Sequence, residues 1–214
     1  MRLSHYKRIL VLGSPGAGKS TIAKEIAELS ALPLIHLDDL YWGENWCRPS
    51  ESVWHEQLSN LVQQEQWLID GNHLTTLNLR LPRAELVLIV DSTVPRSLYR
   101  VYLRALKIKL GFHQYLPKRI REQADKGERT KATKDLLGLT KKIVKYHYSD
   151  HQVLMAQLLH YDVQTVIVSR DVSVRTSLFL PFLESKCVKV RSLSLQQLKQ
   201  SFDSGQIYFC SKHK

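Results

Sequence analysis

The most constraining feature of this 214-residue chain is an apolar run, Arg8-Ile9-Leu10-Val11-Leu12, that passes directly into Gly13-Ser14-Pro15-Gly16-Ala17-Gly18-Lys19-Ser20-Thr21. The run has strand length, the turn reads G-x-x-x-x-G-K-S, and Ile22, Ile26 and Leu29 then recur at helical spacing with Ala23 and Ala27 beside them. Strand, glycine-rich turn and helix in this order make a phosphate-binding loop. Gly13, Gly16 and Gly18 allow close backbone approach that a Cβ would obstruct, so successive N–H groups can point at phosphate oxygens. Lys19 supplies a point charge for the β- and γ-phosphates and Ser20 a hydroxyl for Mg²⁺. The helix that Lys19 opens aims its positive end at the same anion. Residues 13–21 are therefore expected to bind ATP.

Such a loop belongs in a parallel α/β sheet, and the rest of the chain alternates accordingly. Strands are predicted at Arg8–Leu12, Leu34–His36, Trp67–Asp70, Leu86–Asp91 and Thr165–Ser169, and helices over 19–30, 50–64, 95–110, 118–130, 134–147 and 150–160. The composition, 43% hydrophobic and 24% charged, is that of an ordinary globular chain and excludes disorder or a disulfide scaffold. Cys47, Cys187 and Cys210 are odd in number and far apart, so they read as free thiols. The longest apolar runs are strand-sized, far short of the roughly 20 residues of a membrane helix. The run from Ile9 to Leu12 is too short for a signal-peptide core, so no membrane association and a cytoplasmic location are expected.

In parallel sheets, ligands sit at the carboxyl ends of the strands. The second strand ends in His36-Leu37-Asp38-Asp39, the third in Asp70-Gly71-Asn72-His73 and the fourth in Asp91-Ser92-Thr93. Asp70 suits Mg²⁺, and Asp38 suits an acceptor hydroxyl, as base or as orienting hydrogen-bond acceptor. Asp91 reads as a turn and N-cap, and His36 and His73 as satisfied loop-edge histidines. Tyr41, Trp42, Trp46 and Trp54 read as the packed interior of a flap over about 38–65, with stacking on a planar acceptor as the alternative.

The formal charge is +11, from 31 Lys+Arg against 20 Asp+Glu. Residues 96–147 hold 15 of those cations and 4 of the acids, which accounts for the whole excess. Arg96, Arg100 and Arg104 recur every fourth residue on one helix, while Tyr99, Leu103, Leu106 and Leu110 form an apolar stripe expected to face the core. Arginines so placed can close over a transferring phosphoryl group. The stretch from Lys126 to Lys134 reads as a mobile loop.

Taken together, GSPGAGKST at 13–21, LPLIHLDDLYW at 32–42, WLIDGNH at 67–73 and LNLRLPRAELVLIVD at 77–91 resemble P-loop kinases of the adenylate kinase type. Within these they resemble the bacterial DNA topology modulation proteins, in order and spacing over roughly residues 7–180. The resemblance implies a P-loop NTPase fold like that of nucleoside-monophosphate kinases: a five-stranded parallel sheet, order 2-3-1-4-5, with helices on both faces and a basic helical lid at about 96–147. It implies a kinase-like domain over 1–183 and leaves 184–214 as a tail without a role. It also implies that Asp70 serves Mg²⁺, that Arg80 is a cation facing the phosphates, that Arg100 and Arg104 are lid arginines, and that Arg170 begins the loop against the nucleotide base. The sequence departs from the pattern at Tyr146-His147-Tyr148-Ser149-Asp150-His151, where an aromatic-proline turn and an Arg-Pro pair are expected; Lys141, Lys142 and Lys145 stand nearby.

The reading that follows is an ATP- and Mg²⁺-dependent phosphotransferase with a nucleotide-like or other small acceptor, in which Lys19, Asp38, Arg80, Arg100 and Arg104 act on the reacting groups. Two alternatives are an ATP-responsive nucleic-acid-associated protein and a nucleotide-binding switch without turnover. The first is disfavoured because no helix-turn-helix, zinc-finger or RNP signature is present.

Overall fold

Ile9, Leu10, Val11 and Leu12 are wholly buried, as a strand covered on both faces requires. They lie at the centre of the sheet seen in a computed structural model, which describes residues 5–127, 136–161, 163–169 and 190–194. In chain order the elements are β1 Arg8–Gly13, α1 Lys19–Ser30, β2 Leu34–His36, α2 Leu37–Tyr41, α3 Glu51–Val62, β3 Trp67–Asp70, α4 Leu77–Arg80, β4 Leu86–Asp91, α5 Val94–Lys109, α6 Lys118–Asp125, α7 Leu136–Lys145, α8 His151–Tyr161, β5 Thr165–Ser169 and β6 Val190–Ser194. All neighbouring strands are parallel, in the order β2-β3-β1-β4-β5-β6. The five strands expected from the sequence stand in the expected order, and β6 adds a sixth.

That sixth strand corrects the domain boundary. Val190 pairs with Thr165 and Ser194 with Ser169, so part of the supposed tail belongs to the sheet. The segment carries no strong alternation of its own, and only pairing with β5 makes it a strand. Arg170 and most of Lys126–Lys134 lie outside the described residues.

Alternation along the strands sends side chains to opposite faces. Leu10, Leu12, Ile69 and Ile89 meet α3, α4 and α8 through Leu58, Leu77 and Leu158. Ile9, Val11, Leu68 and Leu88 meet α1 through Ile22 and Ile26. A third cluster joins flap to lid: Ile108, Leu116 and Ile120 pack with Trp46. Two hydrogen bonds reinforce that junction, Lys118 N–H to Asp39 Oδ1 at 2.7 Å and Asn45 N–H to Gln123 Oε1 at 2.9 Å.

The expected core stripe of α5 is not its core face. Ser97, Val101, Ala105 and Ile108 are buried, whereas Tyr99 and Leu110 are 68% and 67% exposed, with Leu103 and Leu106 also open to solvent. Small residues face inward because the phosphate loop passes so close that a Cβ on Gly16 would lie 2.4 Å from Ser97 O. The helix predicted over 118–130 ends at Asp125, followed by Gly127 at φ 76°, a left-handed stop. The departure at 146–150 is a single π-helical segment between α7 and α8. It buries Tyr146, and the ring nitrogens of His147 lie 2.8 Å from Ile143 O and from Ser92 O. Lys145 pairs with Asp150 at 3.2 Å. Asp91 does not cap α5; Thr93 occupies the N-cap position.

Candidate active site

Register brings the strand ends level. Val11 and His36 both stand opposite Asp70 in β3, and Gly13 stands opposite Val90 in β4. The loop leaving β1 is thereby wedged between β3 and β4. A Cβ on Gly13, at φ 145°, would fall 2.3 Å from Val90 O, so only glycine fits. Asn72, which sequence reasoning passed over, locks the same residue from the other side. Its Oδ1 accepts from Gly13 N–H at 2.9 Å, and its Nδ2 donates to Gly13 O at 2.7 Å. Ser14 and Ala17 are buried, Pro15, Gly16 and Gly18 half-buried, and Ser20 and Thr21 exposed at the start of α1.

Lys19 arches back over this loop, donating to Gly13 O at 2.9 Å and Ser14 O at 3.0 Å. Burial pushes its ammonium below the usual lysine range, an effect opposed by the charges of Asp70 and Asp38 and aided by Arg104. These four groups therefore share one electrostatic neighbourhood. The Asp38 side chain is 70% exposed, and the protein around it withholds part of its solvation. Enclosure raises its carboxyl, but the His73 contact at 3.4 Å and the charges of His73, Lys19 and Arg104 outweigh that and hold it below the usual range. Arg104 is lowered by burial and supported by Asp38.

Asp70 is 5% exposed, with Oδ2 2.9 Å from His36 Nδ1. The bond to Asp70 raises the imidazole of His36 against the opposing effect of burial. Asp70 Oδ1 is buried with no hydrogen-bond partner. An unpaired carboxylate oxygen beside the loop that carries the Ser20 hydroxyl fits Mg²⁺, which takes one or two carboxylates and keeps waters and phosphate oxygens for the rest. No cluster of three or more His, Cys, Asp or Glu side chains occurs among the described residues, in keeping with so sparse a site. His36 and His73, read from sequence as bland loop-edge residues, are the partners of the two site carboxylates. The available signal was that His36 ends β2 two residues before Asp38, and that His73 follows the end of β3 at Asp70 by three.

Two of the expected phosphate-facing cations have other partners. Arg80 is fully buried, and its guanidinium donates to Gly71 O at 2.8 Å, His73 O at 2.9 Å and also Asn72 O. It fixes the turn after β3, and burial pushes it down to about 9. Arg100 Nη1 donates to Ala17 O at 2.9 Å and lies against Gly16 O at 3.5 Å, so it braces the phosphate loop from α5. Arg104 shares the field of Lys19 and Asp38.

In the flap, Tyr41 meets Trp42, Trp54 and His73 edge-on, and Trp42 meets Trp46. Trp54 belongs to the main core, as the packing reading held. A cavity of about 210 Å³ opens beside these rings, lined by Tyr41, Glu51, Trp54, His55, His73 and Thr75 among others.

The sheet order, with the loop at the β1–α1 junction and helices on both faces, defines a P-loop NTPase fold of the nucleoside-monophosphate-kinase-like type. Similar solved structures include shikimate kinase from Acinetobacter baumannii in complex with shikimate, at 14% identity and TM-score 0.46 over 86% of this chain and 97% of that one. They also include shikimate kinase from Bacteroides thetaiotaomicron, at 16% and 0.40 over 84% and 98%, and a gluconokinase from Sinorhizobium meliloti 1021, at 16% and 0.37 over 71% and 97%. No protein-family model and no curated protein matches the chain. At these TM-scores the likenesses carry no argument about reaction or substrate, which rests on the chain's own residues. Among the described residues no helix is long and apolar enough to cross a membrane.

Proposed function

We propose that this chain is an ATP-binding, Mg²⁺-dependent phosphotransferase acting on a nucleotide-like or other small acceptor. The observation that carries the proposal is the phosphate loop itself, with Lys19 folded over Gly13 O and Ser14 O and the buried, unpaired Oδ1 of Asp70 at the end of β3. In the proposed reaction an acceptor oxygen attacks the γ-phosphorus, its bond to the β–γ bridging oxygen breaks, and ADP leaves. Lys19 and the loop N–H groups hold the β- and γ-phosphates. Ser20 and Asp70 would hold Mg²⁺, which when bound neutralises charge shared between those phosphates. Asp38 orients the attacking hydroxyl and takes its proton. Arg104 offsets charge on the transferring group, while Arg100 holds the loop backbone in place. Within this proposal, the motifs at 13–21, 32–42, 67–73 and 77–91 assign the chain to the DNA topology modulation proteins as its finer family.

The test is transfer of labelled γ-phosphate to a panel of nucleosides, nucleoside monophosphates, sugars and small acids, with Lys19→Ala as the control. At least one acceptor is expected to be labelled, with a loss of about 100-fold or more in Lys19→Ala and an unchanged thermal melt. If no acceptor is labelled above that control, the chain is a nucleotide-binding switch without turnover.

A further inference from the structure

The cavity of about 210 Å³ beside α2 and α3 adjoins the proposed chemistry, because His73 in its wall is also the residue that contacts Asp38 Oδ1. Its volume is below the roughly 300–1,000 Å³ of drug-sized ligand pockets, so it accepts a single ring-sized group. Its charge is the informative property. Among the described residues neither lysine nor arginine lines it. Arg80, the nearby cation expected to face a phosphate, is fully buried, and its two terminal nitrogens donate to three backbone carbonyls.

The start of α3 also lines this cavity, and a helix N-terminus ordinarily attracts anions. Here that end is already compensated. Ser50 Oγ accepts from Val53 N–H at 3.4 Å, and Glu51 places a carboxylate in the first turn. Glu51 is exposed and has no ion-pair partner among the described residues. An anionic ligand would thus meet the Glu51 carboxylate at the wall, with no lysine or arginine in the described lining to offset it. An uncharged or cationic ligand meets the rings of Tyr41, Trp54 and His73, which suit ring stacking and cation–π contact. The buried indole N–H of Trp54 lacks a partner and can donate to a ligand oxygen.

We propose that the acceptor is a small hydroxyl compound carrying no negative charge, uncharged or cationic, seated in this cavity. Its role as acceptor rests on the phosphotransferase reading; the charge preference of the cavity does not.

The experiment measures equilibrium binding to the full chain by tryptophan fluorescence without ATP, using matched pairs that differ in an anionic group. Adenosine is set against adenosine monophosphate, ribose against ribose 5-phosphate, and glucose and glucosamine against gluconate. In at least one pair the member without negative charge is expected to bind at least tenfold tighter. Glu51→Gln should remove any added preference for the amine, and Glu51→Lys should shift preference toward the anionic members. Tighter binding of the anionic members, no binding by any member, or preferences indifferent to Glu51 would overturn the proposal. If the binding order holds while no bound compound is phosphorylated, the phosphotransferase reading fails and the cavity's charge preference stands.

Discussion

Arg80 illustrates how one residue type in the right motif can do a different job from the one its motif implies. A guanidinium near a phosphate site looks like a ligand for that phosphate, yet its donors are aimed at the carbonyls of Gly71, Asn72 and His73, which turn the chain from β3 past the site. Its planar fork can satisfy several acceptors at once, which a lysine cannot reproduce. Arg80→Met should therefore cost about 3 kcal/mol of stability in urea denaturation, since buried carbonyls lose their donor. Arg80→Lys should recover less than half of that. In the folded fraction, the affinity for ATP should change less than threefold; a large loss of ATP affinity at full stability would instead put Arg80 on the phosphates. The same turn contains Asn72 and His73, whose roles depend on which neighbour lies across the sheet. Motif spacing locates such residues, and only the register of β3 against β1 and β2 assigns their partners.

At the scale of elements, the strands were legible because buried parallel strands are short unbroken apolar runs, and the loop–helix junction because its glycines are sterically obligatory. β6 was not, since an edge strand derives its structure from the partner it pairs with. α5 misled for a more specific reason. Hydrophobic periodicity weights large side chains, and its large side chains lie on the solvent stripe at Tyr99, Leu103, Leu106 and Leu110. The face that packs is instead built from Ser97, Val101, Ala105 and Ile108, because backbone contact with the phosphate loop leaves room for little else. The two stripes have opposite mutational consequences. Leu106→Ser and Leu110→Ser should each change stability by no more than about 0.5 kcal/mol. Val101→Ala should cost about 1–2 kcal/mol, because its Cγ2 lies in the contact with Gly16. Chemical denaturation of the three variants decides between the stripes; a greater cost for Leu106→Ser than for Val101→Ala would place the larger stripe in the core.

For the whole molecule, the question is what a charge of +11 does when all of it lies in residues 96–147. The segment begins on α5, packed against the phosphate loop; Lys109, Lys118, Arg119, Lys141 and Lys142 are exposed, while other cations have partners within the chain. Arg100 holds Ala17 O, Arg104 faces Asp38, and Lys145 pairs with Asp150. A basic field concentrated at a triphosphate site attracts one small polyanion and steers its approach. A surface for duplex DNA would engage the exposed cations as well, each phosphate contact adding about 0.9 to the dependence of log K on log salt. The phosphate-clamp reading therefore predicts a slope shallower than about −3 for a labelled 20-base-pair duplex between roughly 50 and 200 mM salt. It further predicts that MgATP displaces the duplex, because both would draw on the same cations. Fluorescence anisotropy across that range measures both quantities. A slope near −6 that is indifferent to MgATP would mean that much of the basic segment faces outward and grips a nucleic-acid backbone independently of the nucleotide site.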